Sequence, residues 1–378
     1  MTNFDASSLK TPYFLVDEAL LTRNLEILAG IKKKTGCKIL LAQKGFAMFA
    51  LYPLIAQYLD GTCASGLHEA KLAHEFFDGE NHIYSPAFSD REFPEIISIC
   101  DHVIFNSFSQ WTHFKPLCPG NKQYGIRINP EISTQQHEKP IYDPCAPFSR
   151  LGTTFANFQP NLLDGISGLH FHTLCQQGAD ALEITLTAIE EKFGSFLHGL
   201  KWLNFGGGHH ITRPGYDLNL LVDLINYIKA KYDIQVYLEP GEAVALNAGY
   251  LVASVLDILD NGIQIAILDT SAACHMPDVL EMPYRPFVVD SGLPGEKAFA
   301  YRFGGPSCLA GDIIGDYSFE APLNIGGHII FTDMAIYSMV KTNTFNGVPL
   351  PSIAILRKNG NIEAVKSFGY DDFKMRLS

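Results

Sequence analysis

The chain has no C-x-x-C pair. Its eight cysteines, Cys37, Cys63, Cys100, Cys118, Cys145, Cys175, Cys274 and Cys308, stand singly. That spacing argues against a cysteine-based structural zinc site or a dithiol redox motif and fits free thiols in a cytoplasmic protein. Positive charge is not in excess either. There are 28 Lys and Arg against 40 Asp and Glu, a formal net charge of −12. A nucleic-acid binder and a protein held to anionic membranes are therefore not expected, whereas a cationic substrate is compatible with the balance. No apolar run reaches membrane-spanning length. The first twenty residues lack a basic region followed by an apolar run, so no secretory leader is expected. Neither an internal repeat nor a low-complexity tract occurs. Disorder is also excluded, because 47% of the 378 residues are hydrophobic and only 18% are charged. That supplies a large core in two domains, or in one large domain with an appendage.

From residue 38 onward, short β-rich runs alternate with stretches of helical spacing. The runs are 38–41, 61–64, 82–85, 102–105, 124–128, 168–172, 202–205 and 235–238. The helical stretches include 46–58, 67–77, 90–99, 179–192 and 218–231. Eight such alternations predict a (β/α)8 TIM-like barrel. The Pro-containing stretch 129–163 reads as a loop with a short helix. Beyond about residue 251 the helical periodicity fades. Runs 252–259 and 263–268 flank Asp260-Asn261-Gly262, and 352–356 and 362–365 flank Asn359-Gly360, both hairpin signals. Further strands are expected at 287–289, 298–303 and 328–332. The fold class is thus α/β: a barrel over 35–260, and a mainly C-terminal all-β domain from 1–34 and 261–378, with run 13–16 returning to pair in it.

In such a barrel, chemistry sits where strands end at the C-terminal face. Lys44 follows the first strand. Half-sequestered there, it would lose its proton readily and suit Schiff-base formation. His172 follows the sixth strand and suits stacking on a ring. Gly206-Gly207-Gly208 follows the seventh and can form a phosphate nest from backbone N–H groups. Glu239, in Glu239-Pro240-Gly241, ends the eighth and can keep a pyridine nitrogen protonated. In the β-domain, Cys308 lies in Gly305-Pro306-Ser307-Cys308-Leu309 near Asp312 and suits proton donation. Tyr337 can offer its hydroxyl to a phosphate. Singly, each has an ordinary explanation: a snorkelling lysine, a tight turn, a turn carboxylate, a packed histidine, a buried cysteine, a packed tyrosine. Together they describe a site for pyridoxal 5'-phosphate.

With these residues in this order, the chain resembles the barrel-type, alanine-racemase-like pyridoxal phosphate decarboxylases. That group includes ornithine, arginine and diaminopimelate decarboxylases. The resemblance covers nearly the whole chain. It rests on Lys44, His170-Phe171-His172, the glycine triplet, Glu239-Pro240-Gly241, Gly305-Pro306-Ser307-Cys308, Tyr337 and Thr344-Phe345-Asn346-Gly347. Four departures stand out. Thr62 precedes Cys63-Ala64-Ser65 where ornithine-type enzymes have Asp. Thr173-Leu174-Cys175 follows His172, so the usual phosphate-binding Ser is absent. Glu242 replaces the usual Arg, removing a cationic phosphate contact. Leu309 stands where an acid is frequent, which argues against ornithine and diaminopimelate. Asp269-Thr270-Ser271-Ala272 and 275–286, beginning His275-Met276-Pro277-Asp278-Val279-Leu280-Glu281-Met282-Pro283, resemble the branch that decarboxylates carboxynorspermidine and carboxyspermidine.

That resemblance implies a polyamine-forming decarboxylase in which Lys44 holds the cofactor. It implies a homodimer with active sites at the subunit interface, Cys308 of one subunit protonating Cα in the other. Arg127, in Gly125-Ile126-Arg127-Ile128, would support the cofactor with His172, Gly206, Gly207, Gly208, Glu239, Gly241 and Tyr337. The cationic tail would meet Asp269 and Asp312 first, with Asp278, Glu281 and Glu239 as further acids. The alternative substrate is diaminopimelate or another basic amino acid. A metal-dependent hydrolase using His170, His172, His209, His210 and Asp269 would leave Lys44, the glycines and Glu239 without roles, so no metal is expected. A non-catalytic relative is disfavoured by Lys44, His172, Glu239 and Cys308 occurring together.

Overall fold

The computed structural model describes residues 4–135 and 140–378. Strand β1 (Tyr13–Asp17) and the helix Glu18–Thr35 come first. Eight strands follow: β2 (Lys38–Ala42), β3 (Gly61–Ala64), β4 (Glu80–Tyr84), β5 (His102–Phe105), β6 (Gln123–Arg127), β7 (Gly168–His170), β8 (Trp202–Asn204) and β9 (Gln235–Leu238). Each is parallel to the next, and β9 pairs back to β2, closing the barrel. All eight fall on the expected runs. Helices Leu67–Phe76, Phe93–Ile99, Ala179–Leu197 and Leu218–Tyr232 fall on expected helical stretches. The last shows why: the Asp217 side chain accepts from Leu220 N, and Leu221, Ile225, Ile228 and Tyr232 are its buried stripe. Stretch 46–58 is shorter than expected, a 3-10 turn at Phe49–Leu51 and the helix Tyr52–Ile55. Within 129–163 the structure holds three 3-10 turns, at Pro140–Tyr142, Phe155–Asn157 and Pro160–Leu162. Residues 136–139 of that stretch lie outside those described.

Trp202 fills the middle of the barrel, and two glycines make room for it. A Cβ at Gly168 would lie 2.1 Å from Trp202 Cδ2, and one at Gly125 2.3 Å from Cη2. Both strands are rigidly paired, so neither backbone can yield. Gly168→Ala is expected to destabilise the protein by about 3 kcal/mol, the upper end for overpacking. Urea unfolding measures this, and an unchanged midpoint would mean that the ring is not held where it stands.

Two compact units emerge: Asn24–Val244, the barrel, and the chain up to Arg23 together with Ala245–Ser378. The sequence pattern places the divisions at 34/35 and 260/261. In the structure, β10 (Gly249–Asp260) belongs wholly to the second unit, where it pairs with β1. The remaining strands are β11 (Gln264–Leu268), β12 (Phe299–Gly304), β13 (Ile313–Phe319), β14 (His328–Thr332), β15 (Ser352–Leu356) and β16 (Ile362–Lys366). Their sheet runs β13-β12-β11-β10-β1-β15-β16, and β14 also pairs with β10. Central strand β1 is buried at all five positions. Phe14 joins a core with Leu251, Phe303 and Phe331, while Tyr13 and Leu15 face Val252, Ala354 and Leu356 on the other side.

Candidate active site

The ends of four barrel strands converge. Ala42, ending β2, donates its N–H to Pro240 O at 3.1 Å. The turn that follows carries Lys44 and packs on the next turn so closely that a Cβ at Gly45 would lie 3.1 Å from Gly241 Cα. After β8, Gly206 and Gly208 adopt φ +68° and +81°, the left-handed region where glycine carries no Cβ penalty. A Cβ at Gly207 would lie 2.4 Å from Glu239 O and 3.1 Å from His172 Cε1. Lys44, His172, Gly206, Gly207, Gly208, Glu239 and Gly241 therefore share one mouth. Arg127, buried at the end of β6, reaches it too. Its Nη2 donates to His172 O at 3.1 Å, and its guanidinium lies 4.6 Å from the Tyr84 ring centre.

Lys44 is exposed, not half-sequestered as its neighbours suggested. Strand β2 ends two residues earlier, so the side chain stands on a turn beyond the apolar run. The His172 Nδ1 accepts from Gly207 N at 3.0 Å. Its ring is pushed well below the ordinary histidine range by burial, then by the Lys44 and Arg127 cations. It is therefore neutral, with its proton on Nε2.

Glu239 is a buried carboxylate. Its Oε1 accepts from Asn204 Nδ2 at 2.7 Å, and Oε2 lies 3.3 Å from His170 Nε2. Burial acts to raise its pKa, but the His170 ring and the Asn204 amide outweigh it and hold the carboxyl below its ordinary value. His170 is pushed down, chiefly by burial, with Glu239 opposing. At neutral pH the pair is an anion beside a neutral ring. Asn204 also accepts from Gly206 N at 2.8 Å through Oδ1, so one amide joins the carboxylate to the glycine turn. Asn204 was not picked out from the sequence as part of this site, and His170 only as the first member of the His170-Phe171-His172 motif. The available signal was strand parity: both are polar residues on the interior phase of short strands, Asn204 sharing Trp202's face.

The sheet unit holds the other candidates. Cys308 is exposed, alone among the eight cysteines, all of which are free thiols. Its N–H donates to Asn346 Oδ1 at 2.8 Å. Asp312 is buried and committed to its own loops. It accepts from Ser307 Oγ at 2.6 Å, Ser271 Oγ at 2.8 Å and Ala273 N at 3.1 Å. Asp269 accepts from Ser254 N at 2.8 Å, and none of its partners is among those of Asp312. Asp278 and Glu281 both pair with Lys341. Tyr337 is half-buried with φ +50°. That is strained backbone for an aromatic residue, of the kind that collects at functional sites.

The five groups of the metal reading form no ligand cluster. Among the described residues, the one group with metal-ligand proximity is Glu80, His82 and His102. Glu80 there is already paired to Lys38 and His82 and accepts from Tyr237 Oη at 3.2 Å.

The barrel mouth fits pyridoxal phosphate by its donors and by its unfilled groups. An exposed lysine amine, a neutral imidazole and an ionised buried carboxylate stand together. Among the described residues, the N–H groups of Gly208 and Glu242 find no protein acceptor. The buried Nδ1 of His210 has no hydrogen-bond partner.

Residues 14–335 match the family described as pyridoxal-dependent decarboxylase, C-terminal sheet domain. A carboxynorspermidine/carboxyspermidine decarboxylase of Campylobacter jejuni is 44% identical, with 97% of this chain and 98% of that protein aligned. A carboxyaminopropylagmatine decarboxylase of Synechocystis is 42% identical over 98% of this chain and 96% of its own. The crystal structure of carboxynorspermidine decarboxylase complexed with norspermidine, from Campylobacter jejuni, superimposes with a TM-score of 0.92 at 43% identity, covering 97% of this chain and all of that one. Diaminopimelate decarboxylases are more distant, that of Haemophilus influenzae being 26% identical over 58% of this chain and 56% of its own length. Motifs, closed barrel, companion sheet and relatives agree: the chain belongs to the pyridoxal-dependent decarboxylases, in the branch that holds the carboxynorspermidine/carboxyspermidine decarboxylases.

Proposed function

We propose that this chain removes CO2 from carboxynorspermidine and carboxyspermidine, forming norspermidine and spermidine. The observation that carries the chemistry is the buried, ionised Glu239 fixed by Asn204 beside Lys44 and His172. The substrate class rests on relatives above 40% identity across nearly the whole chain.

Pyridoxal phosphate, when bound, supplies an electron sink for the pair left behind as CO2 departs. Lys44 supplies the amine that holds it. Glu239 keeps a proton on the pyridine nitrogen, a role that needs a charged carboxylate. His172, neutral and held by Gly207, offers a flat ring without adding charge. Arg127 steadies the His172 backbone, and Tyr337 offers its hydroxyl to the phosphate. Cys308 delivers the proton that replaces CO2 at Cα, and its exposed thiol supports such a transfer to a second subunit. The protein then works as a homodimer, in a cytoplasm that keeps its thiols reduced. Of the acids, Asp278 and Glu281 support contact with a cationic tail best. Together they carry one more charge than Lys341 neutralises, whereas Asp312 and Asp269 are taken up by their own loops.

The test is a substrate panel on purified protein. Carboxynorspermidine and carboxyspermidine should release CO2 at least tenfold faster than diaminopimelate. Faster turnover of carboxyaminopropylagmatine would favour the second reading, raised by the Synechocystis relative. Preference for diaminopimelate would overturn both.

A further inference from the structure

We propose that His210, paired with Glu242, holds the cofactor's phosphate. This rests on pyridoxal phosphate being the bound group. The family's usual serine and arginine are replaced by Leu174-Cys175 and Glu242. The glycine turn therefore lacks those two donors, and a phosphate dianion needs a compensating one.

Two adjacent histidines follow the turn, and the structure treats them differently. His209 is folded back, its Nε2 lying 3.4 Å from Phe205 O. His210 is only 8% exposed, yet its Nδ1 has no hydrogen-bond partner. Nitrogens so buried and unpartnered are costly unless something fills them. Glu242 Oε1 lies 3.2 Å from His210 Nε2 and is itself anchored by Gln176 Nε2 at 2.7 Å. A bare carboxylate would repel a phosphate. That carboxylate is turned onto Gln176 and onto Nε2 of the ring, which leaves Nδ1 as the open ring nitrogen. The backbone agrees, since Gly208 N–H and Glu242 N–H also find no protein acceptor among the described residues. Two backbone donors and one imidazole make an anion cradle of the kind that replaces a lone cation. His210 N is tied to Gln177 O at 3.1 Å, and Gln177 N to Gly208 O at 3.0 Å. The backbone that presents the ring is thus fixed to the turn it serves.

The experiment compares pyridoxal phosphate with pyridoxal, which lacks the phosphate. Both are titrated by absorbance and fluorescence into the cofactor-stripped full-length protein. His210→Gln should weaken pyridoxal phosphate about ten- to a hundredfold, the range for a hydrogen bond to a charged group, and leave pyridoxal within about twofold. The 31P resonance of the bound phosphate should shift in His210→Gln. Equal loss for both ligands would make His210 a structural residue, and no loss for either would remove it from the site. Both results overturn the proposal. If neither ligand bound the unsubstituted protein, the cofactor assignment itself would fail, a different outcome from loss of the His210 contact.

Discussion

Lys44→Ala should abolish the visible absorbance of lysine-bound cofactor and lower turnover by about a thousandfold or more, as loss of a covalent catalytic group does. The fold should not notice. Lys44 is exposed on a turn, and exposed substitutions shift stability by about 0.5 kcal/mol or less. Arg127 cannot stand in, because its Nη2 is on the His172 carbonyl, its guanidinium covers Tyr84, and a guanidinium is not an amine nucleophile. Absorbance, single-turnover CO2 release and a thermal melt on one preparation separate the possibilities. Retained turnover, or a fallen melting temperature of the cofactor-free protein, would sink the assignment.

The second large effect is expected at Glu239. Glu239→Gln keeps the side chain's shape and can still accept from Asn204, but it removes the charge. With the charge goes the means of keeping the pyridine nitrogen protonated. Turnover should fall about a hundred- to a thousandfold, the scale for losing one preorganised electrostatic partner, while the visible absorbance survives. Survival of the absorbance distinguishes this variant from Lys44→Ala. Asn204→Ala tests the same point more gently. Removing the amide takes away one of the contacts that hold the Glu239 carboxyl down, so its pKa rises. The acid limb of the rate profile should then move to higher pH. An acid limb that stays in place would mean that Asn204 does not tune the carboxylate.

The barrel was legible because each strand is a short apolar run bounded by turn residues, and the helices between repeat their apolar positions at helical spacing. The convergence of Lys44, His172, the glycines and Glu239 followed from a general rule about strand ends. Whatever depends on distant pairing was not legible. Asp278 and Glu281 look like free acids in sequence, and only folding brings Lys341 to them. Asp312 looks available, yet its carboxylate organises the loop that presents Cys308. Asn204 reads as one polar residue in an apolar strand, and its bond to Glu239 depends on where β9 lies. The exposure of Lys44 was misjudged because composition shows an apolar strand but not the residue at which pairing stops.

The place of β1 has a consequence for how the chain is made. Tyr13 pairs with Val252 on one side and Ser352 on the other. A strand made before the other fifteen described is thus the keystone of a sheet that only β15 and β16 complete. Translation at ordinary speed separates β1 from β15 by some tens of seconds. Until β10 emerges, a five-residue segment destined for burial on both faces has no lasting partner, and its other edge stays open until β15 follows. A messenger cut short before β15 would encode the entire barrel, yet leave β1 with an open edge for strands of other chains. Incomplete synthesis is then an aggregation risk carried by β1, not by the strands that are missing.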